Sequence, residues 1–405
     1  MSGAASIQAA IEKYVGAGEL AGAAALVWRD GRVMERAAVG RRDLETGAPV
    51  EHDTIFRIAS MSKPVTCLAA LTMMEEGRFS LDDPISRVAP EFMRMRVLRA
   101  ADGPLDDTVP ADRQITFGDL LTHRAGLTYG DFHGGPIGAA HKAALGADID
   151  SHLAPDDWIA GLAALPLIDH PGANFHYGHS TDLLGLLIAR REGVSLGEVL
   201  AHRVFEPLGM SDTGFSVPAD KRGRRAGSCG FNAEGKPAAL AAPPGGAALP
   251  ERPDGMTFES GGQGLWSTVD NYLAFARLFV GEGAVDGVRV LKPETMARMM
   301  TNQLTEAQRA RGSMFGMPLF SAHGFGLGLA VVMDPERAAV SRCKGGLGTV
   351  GWPGAYGGWW QADPTDGSVM ILLAHNMMEL DQLMAGVGLG VYAAISDFHA
   401  LASAA

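Results

Sequence analysis

Ile58-Ala59-Ser60-Met61-Ser62-Lys63-Pro64 is the stretch from which the rest of the chain is read. Behind it, Val65, Leu68, Ala69, Leu71 and Met73 are apolar nearly all round, the pattern of a helix buried on every side, and Gly77 supplies its stop. Pro64 is tolerated at that helix start because first-turn N–H groups have no intrahelical partner. The i,i+3 spacing brings the Ser60 hydroxyl and the Lys63 amine to one side of the first turn. Three consequences follow. The hydroxyl stands at the positive end of a helix dipole, the serine's own N–H is available to an oxyanion, and apolar surroundings disfavour a charged amine and so favour a base. The alternative is an N-cap serine beside a surface lysine, which an all-round apolar helix does not accommodate.

Outward from this helix, the N-terminal side reads as a helix carrying Ile7, Ile11 and Val15, then strands Ala23–Arg29 and Arg32–Gly40 around an Asp30-Gly31 hairpin turn. A further extended run, Thr54–Ile58, leads to Ser60. Residues 80–262 read as helices (Phe117–Thr122, Asp156–Ala164, Ser180–Arg191, Ser195–Phe205) between long loops, of which Tyr129–Pro155 and Ser216–Gly261 are rich in Gly, Ala and Pro. The last third gives helices Val269–Val280 and Lys292–Thr301. Strands follow at Gly326–Met333, Ala355–Ala362 and Ser368–Ala374, then a helix Leu380–Phe398. The expected architecture is α/β: an antiparallel sheet flanked by helices and built from both chain ends (residues 1–65 and 265–405), with a helical region inserted at 66–264.

The composition removes several classes of function. The chain has 405 residues, 47% of them apolar and 20% charged, enough for a large core. Leu20–Trp28 spans nine nearly apolar residues, against the ~18 or more a bilayer requires, so no membrane partner is expected. A net charge of −12 gains nothing from phosphate backbones, and no nucleic-acid partner is expected. Three cysteines without a CxxC pair fit neither a disulfide framework nor a cysteine zinc site. With no basic and apolar leader at the N-terminus, a cytoplasmic protein is expected.

Four motif matches are set aside on context. Gly346–Gly351 fits GxGxxG but runs into Trp352-Pro353-Gly354 and not into a helix that could hold a pyrophosphate. Gly193-Val194-Ser195-Leu196-Gly197 fits GxSxG but follows a helix and not a strand, and Ser195 with Glu198 reads as a capping box. His176 and His179 lack a third ligand, so no metal and no cofactor are expected. A second SxxK, Ser341–Lys344, is followed at once by Gly345-Gly346, where no helix would form.

The remaining motifs resemble, in order, the serine β-lactamase/penicillin-binding-protein superfamily, in its class C-like branch and nearest its family VIII carboxylesterases. Ile58–Lys63 resembles the nucleophile motif, Asp119–Leu127 the LLTHxSGL segment, and Tyr177-Gly178-His179 the Tyr-x-Asn motif. Pro207–Met210 and Gly261–Leu265 match two structural landmarks, and Trp352-Pro353-Gly354 stands in place of Lys-Thr-Gly. His179 departs from the usual Asn. Trp352 departs from the lysine that holds a β-lactam carboxylate, and family VIII esterases share that replacement.

The resemblance implies a serine carboxylesterase acting on a small neutral ester, with Ser60 as nucleophile and Lys63 and Tyr177 sharing the proton work; which of the two deprotonates Ser60 stays open. It places the oxyanion hole at the N–H groups of Ser60 and Ala355 and the substrate contacts at Tyr129, His179, Trp352 and Gly354. A homo-oligomer is compatible with it. The rival readings are a β-lactamase or DD-peptidase, an acyltransferase or amide hydrolase of the same fold, and a non-catalytic binding protein.

Overall fold

Asp30 and Gly31 both take positive φ, 52° and 76°, the backbone of a two-residue hairpin turn. They fold β1 (Gly22–Arg29) onto β2 (Arg32–Gly40). This hairpin is one edge of the central sheet in a computed structural model that describes residues 6–133, 135–146, 149–240, 252, 255–314, 317–341, 343–377 and 380–403. The other five strands come from the end of the chain: β3 (His323–Phe325), β4 (Ala330–Val332), β5 (Val350–Gly354), β6 (Gly358–Asp363) and β7 (Ser368–Ala374). The order is β3-β4-β5-β6-β7-β1-β2, antiparallel throughout. The seam between the chain ends pairs Ala23 with Ala374 and continues to Trp28 opposite Val369.

Period-two alternation along β7 explains why both sheet faces are covered. Met370, Leu372 and Ala374 join Ile7, Ile11, Ile395 and Phe398 in one apolar cluster. That cluster lies under α1 (Ile7–Gly16) and the C-terminal helix Leu389–Ala402. Val369, Ile371 and Leu373 face the larger core, which holds the buried helix α2 (Ser62–Glu75) and the helix Val269–Val280.

The structure departs from the sequence expectation in several places. The single helix expected over Leu380–Phe398 is two, Leu380–Met384 and Leu389–Ala402, because Gly386 and Gly388 adopt φ of 84° and 79° between them. Gly357, at φ 85°, turns the chain inside the expected strand Ala355–Ala362, so the pairing segments lie on either side as β5 and β6. The expected strand Gly326–Met333 is reduced to β4, because residues 326–329, with Gly328 at φ 95°, turn the chain back from β3. The Ser216–Gly261 loop contains two short strands, Cys229–Phe231 and Pro237–Ala239; its residues 241–251, 253 and 254 lie outside the described residues. Among the described residues no helix is long and apolar enough to cross a membrane.

What the sheet positions is the nucleophile turn. Phe56–Arg57 pairs with Trp266–Ser267, and the Ile58 N–H donates to Leu265 O at 3.0 Å. The Tyr272 hydroxyl donates to Met61 O at 2.8 Å, and the Leu265 N–H to Ser62 Oγ at 3.1 Å. From the sheet side, β5 comes so close that a Cβ on Gly354 would stand 2.5 Å from the Ile58 carbonyl oxygen. Gly354 therefore serves to pack the end of β5 against Ser60's own loop.

Candidate active site

Ser60 lies in a 3₁₀ turn, Ala59–Met61, that feeds directly into α2. Ala59 holds φ of +45°, a left-handed backbone that side chains other than glycine rarely adopt. Such strain, of order 1–3 kcal/mol, persists only where the surroundings over-determine it, and here the turn is pinned from Leu265, Tyr272 and Gly354.

One helical turn on, Lys63 is wholly buried. Its Nζ contacts Ser60 Oγ at 3.2 Å, Tyr129 Oη at 3.1 Å and Gly262 O at 2.9 Å. The ring of Tyr177 lies over the same amine, 4.6 Å to its centroid. The Tyr177 hydroxyl itself accepts from the Trp352 indole N–H at 3.2 Å. The two tyrosines stand edge to face, ring centroids 5.7 Å apart, because Gly178 lets their strands of chain touch: a Cβ there would lie 2.4 Å from Thr128 Cα. The hydroxyl bonded to Lys63 is thus Tyr129's, while Tyr177 supplies a ring face.

A carboxylate that the sequence reading did not single out organises the rear of this cluster. Asp182, in the first turn of the helix Ser180–Glu192, has no exposed surface. Its Oδ1 accepts from Ser260 Oγ at 2.5 Å and Gly262 N at 2.9 Å, and its Oδ2 contacts Tyr129 Oη at 3.3 Å and His179 Nδ1 at 3.2 Å. Burial pushes this carboxyl's pKa up, but His179, the Lys63 charge and Ser260 outweigh it, and the net direction is down. The signal was present in the sequence: an acid followed by Leu183, Leu184, Leu186, Leu187 and Ile188 is a charge inside a buried helix.

His123, of the LLTH segment, was likewise assigned no role by the sequence. Its backbone has φ of 52°, its buried ring packs tilted against Tyr177 at 4.9 Å, and burial reinforced by the Lys63 charge holds it well below the usual histidine range. It backs the Tyr177 ring as a neutral imidazole.

The expected substrate contacts divide. Ala355, just after β5, is exposed and follows the Gly354 that packs on Ile58. Trp352 is only 5% exposed, packed on Tyr177 and Phe325 at ring distances of 5.5 and 5.2 Å. Tyr129 is 3% exposed and turned to the amine. The expectation that His179 contacts substrate does not match its position: fully buried behind Tyr129, it faces Asp182. His176 binds Asp169 at 2.9 Å, so the two histidines address different carboxylates. Among the described residues no group of three or more His, Cys, Asp or Glu is placed to hold a metal ion. Ser195 caps its helix through a reciprocal capping box with Glu198.

Comparison with known proteins agrees with this geometry. The model of the Beta-lactamase family matches residues 7–385. Protein Rv1367c of Mycobacterium tuberculosis is 43% identical over 373 residues, 92% of this chain and 90% of that protein. Esterase EstB of Burkholderia gladioli is 31% identical over 394 residues, covering 93% and 91%. Among solved structures, EstCE1, described as a hydrolase with promiscuous acyltransferase activity, superposes with a TM-score of 0.77 at 27% identity, covering 96% of this chain and 97% of that one.

Proposed function

We propose, from the premise that this chain belongs to the beta-lactamase family and is a serine hydrolase, that it is a carboxylesterase acting on neutral short-chain esters through an acyl-enzyme on Ser60. The observation that carries the reading is the buried Lys63 amine 3.2 Å from Ser60 Oγ. In this reading Ser60 Oγ attacks the ester carbonyl carbon while its proton passes to the Lys63–tyrosine group. The leaving alkoxide takes a proton back from that group, and water then cleaves the acyl-enzyme by the same route. Lys63 shares the proton work with Tyr177, whose ring covers the amine, and with Tyr129, whose hydroxyl is bonded to it. The N–H groups of Ser60 and Ala355 receive the oxyanion, each such donor being worth about 3–4 kcal/mol.

Trp352 supports the ester over the β-lactam. An indole whose N–H is taken by Tyr177 has no charge to offer a carboxylate. The esterase name of a 31% identical relative points the same way. The cytoplasm suits the three buried thiols Cys67, Cys229 and Cys343, which are free among the described residues. A second reading, acyl transfer to an alcohol, is favoured by the likeness to EstCE1 and differs only in what accepts the acyl group.

The test is a panel of p-nitrophenyl esters and a chromogenic cephalosporin, run with and without added alcohol, beside a fluorophosphonate label mapped by mass spectrometry. Ester turnover with the label on Ser60 is expected. Preference for the cephalosporin would turn the reading to a β-lactamase, and label on another serine would end it.

A further inference from the structure

Lys63 and Asp182 never touch, yet two independent bridges join them. One is the Tyr129 hydroxyl, 3.1 Å from the amine and 3.3 Å from the carboxylate. The other is residue Gly262, whose carbonyl takes the amine at 2.9 Å while its N–H gives to Asp182 at 2.9 Å. Only glycine permits this convergence, since a Cβ at 262 would lie 2.9 Å from Asp182 Oδ1 and 3.1 Å from the Tyr129 hydroxyl. With Ser260 and His179 added, the four acceptor positions of the carboxylate are filled, and a group so held has no freedom to wander.

His179 completes the set from behind. An ionised carboxylate only accepts, so the imidazole must present Nδ1–H to Asp182. The ring has no room to turn. The Tyr129 ring stands edge-on at 4.5 Å, Trp158 edge-on at 5.4 Å, and His141 parallel at 5.7 Å. Lacking any exposed surface, His179 cannot meet a substrate.

We propose that His179 and Asp182 form a positioning pair that holds the Lys63 amine and the Tyr129 hydroxyl in register with Ser60, an inference that rests on the hydrolase reading above. Anchoring the Gly262 N–H on the carboxylate fixes the backbone of that residue, and with it the carbonyl oxygen that takes the Lys63 amine. Fixing the carboxylate fixes Tyr129. The pair acts through other residues and does no chemistry on the substrate.

The test separates the hydrogen bond from the bulk of the ring. In His179→Asn the amide nitrogen falls where Nδ1 was and keeps the donor to Asp182. In His179→Gln it falls near the far ring nitrogen and misses. His179→Ala and His179→Gln are expected to lose about 10-fold or more in kcat with KM within about 2-fold, Asp182→Asn about 100-fold, and His179→Asn to keep about a third or more of wild-type kcat. Near-UV circular dichroism and thermal midpoints establish folding, and should His179→Ala not fold, His179→Gln carries the same test. A folded His179→Gln with wild-type kcat, or His179→Asn losing as much as His179→Gln, overturns the proposal. Should wild-type Ser60 take no fluorophosphonate, or Ser60→Ala stay active, the hydrolase reading itself fails. Label on Ser60 alongside fully active His179 variants removes only the positioning pair.

Discussion

The chain carries the Ser-x-x-Lys spacing twice, and the two copies end in opposite circumstances. Ser60 and Lys63 sit where a 3₁₀ turn becomes a buried helix, so the side chains meet at 3.2 Å and the amine has no exposed surface. Ser341 sits just past the short helix Pro335–Ala338 and before the glycines at 345 and 346. Its hydroxyl donates to Ala338 O at 2.8 Å and lies 3.0 Å from Cys343 O, so it serves the loop's own backbone. Lys344 is half-buried, and its carbonyl takes the Gln361 amide at 2.8 Å. A four-residue spacing specifies a contact only through the backbone that realises it. The surroundings then decide whether the amine stands in water or against a hydroxyl.

The largest effect that could break this contrast is at the serines. Ser60→Ala is expected to lower ester kcat by about 10³-fold or more and abolish labelling, while Ser341→Ala stays within about 2-fold. Steady-state rates and label mapping on both variants decide it. At the proton groups, Lys63→Ala and Tyr177→Phe should each cost about 100-fold in kcat, and the double variant little more than either, as groups acting as a unit do. Lys344→Ala should cost nothing measurable.

Specificity sharpens the comparison, because the first copy is linked to Trp352 through Tyr177. The wild type should favour p-nitrophenyl butyrate over a chromogenic cephalosporin by about 100-fold in kcat/KM. Trp352→Lys should narrow that ratio, chiefly by weakening ester turnover as Tyr177 loses its donor. A smaller effect is expected at the wall. Gly354→Ala drives a Cβ against the Ile58 carbonyl and should lower kcat about 10-fold together with the melting temperature. Least of all, Ser195→Ala removes a helix cap that has no lysine beside it, costing about 1 kcal/mol in denaturant unfolding and leaving kcat unchanged.

Local chemistry made much of this legible in the sequence. The Asp30-Gly31 turn, the apolar helix behind Ser60 and the apolar strand Ser368–Ala374 each follow from neighbours within a few residues, and the structure places them as read. What stayed hidden depends on distant contacts. Nothing near Tyr129 announces that its hydroxyl meets Lys63, because the meeting is arranged by Gly178 against Thr128. Nothing near His179 says whether it looks outward or inward. The breaks at Gly357 and at Gly386 and Gly388 stay hidden for a different reason: apolar periodicity continues through them, while the positive φ that interrupts the element belongs to one or two glycines.

The seam that pairs Ala23 with Ala374 also has a consequence in time. A ribosome adding 5–20 residues per second needs about 20–70 s to travel between those two partners. For most of that interval the nucleophile-bearing helix has been synthesised, while the strands that wall it in are still unmade. Contacts of such long sequence separation close late and slowly. A nascent chain halted before β7 therefore carries Ser60 and Lys63 without a finished sheet to hold them together.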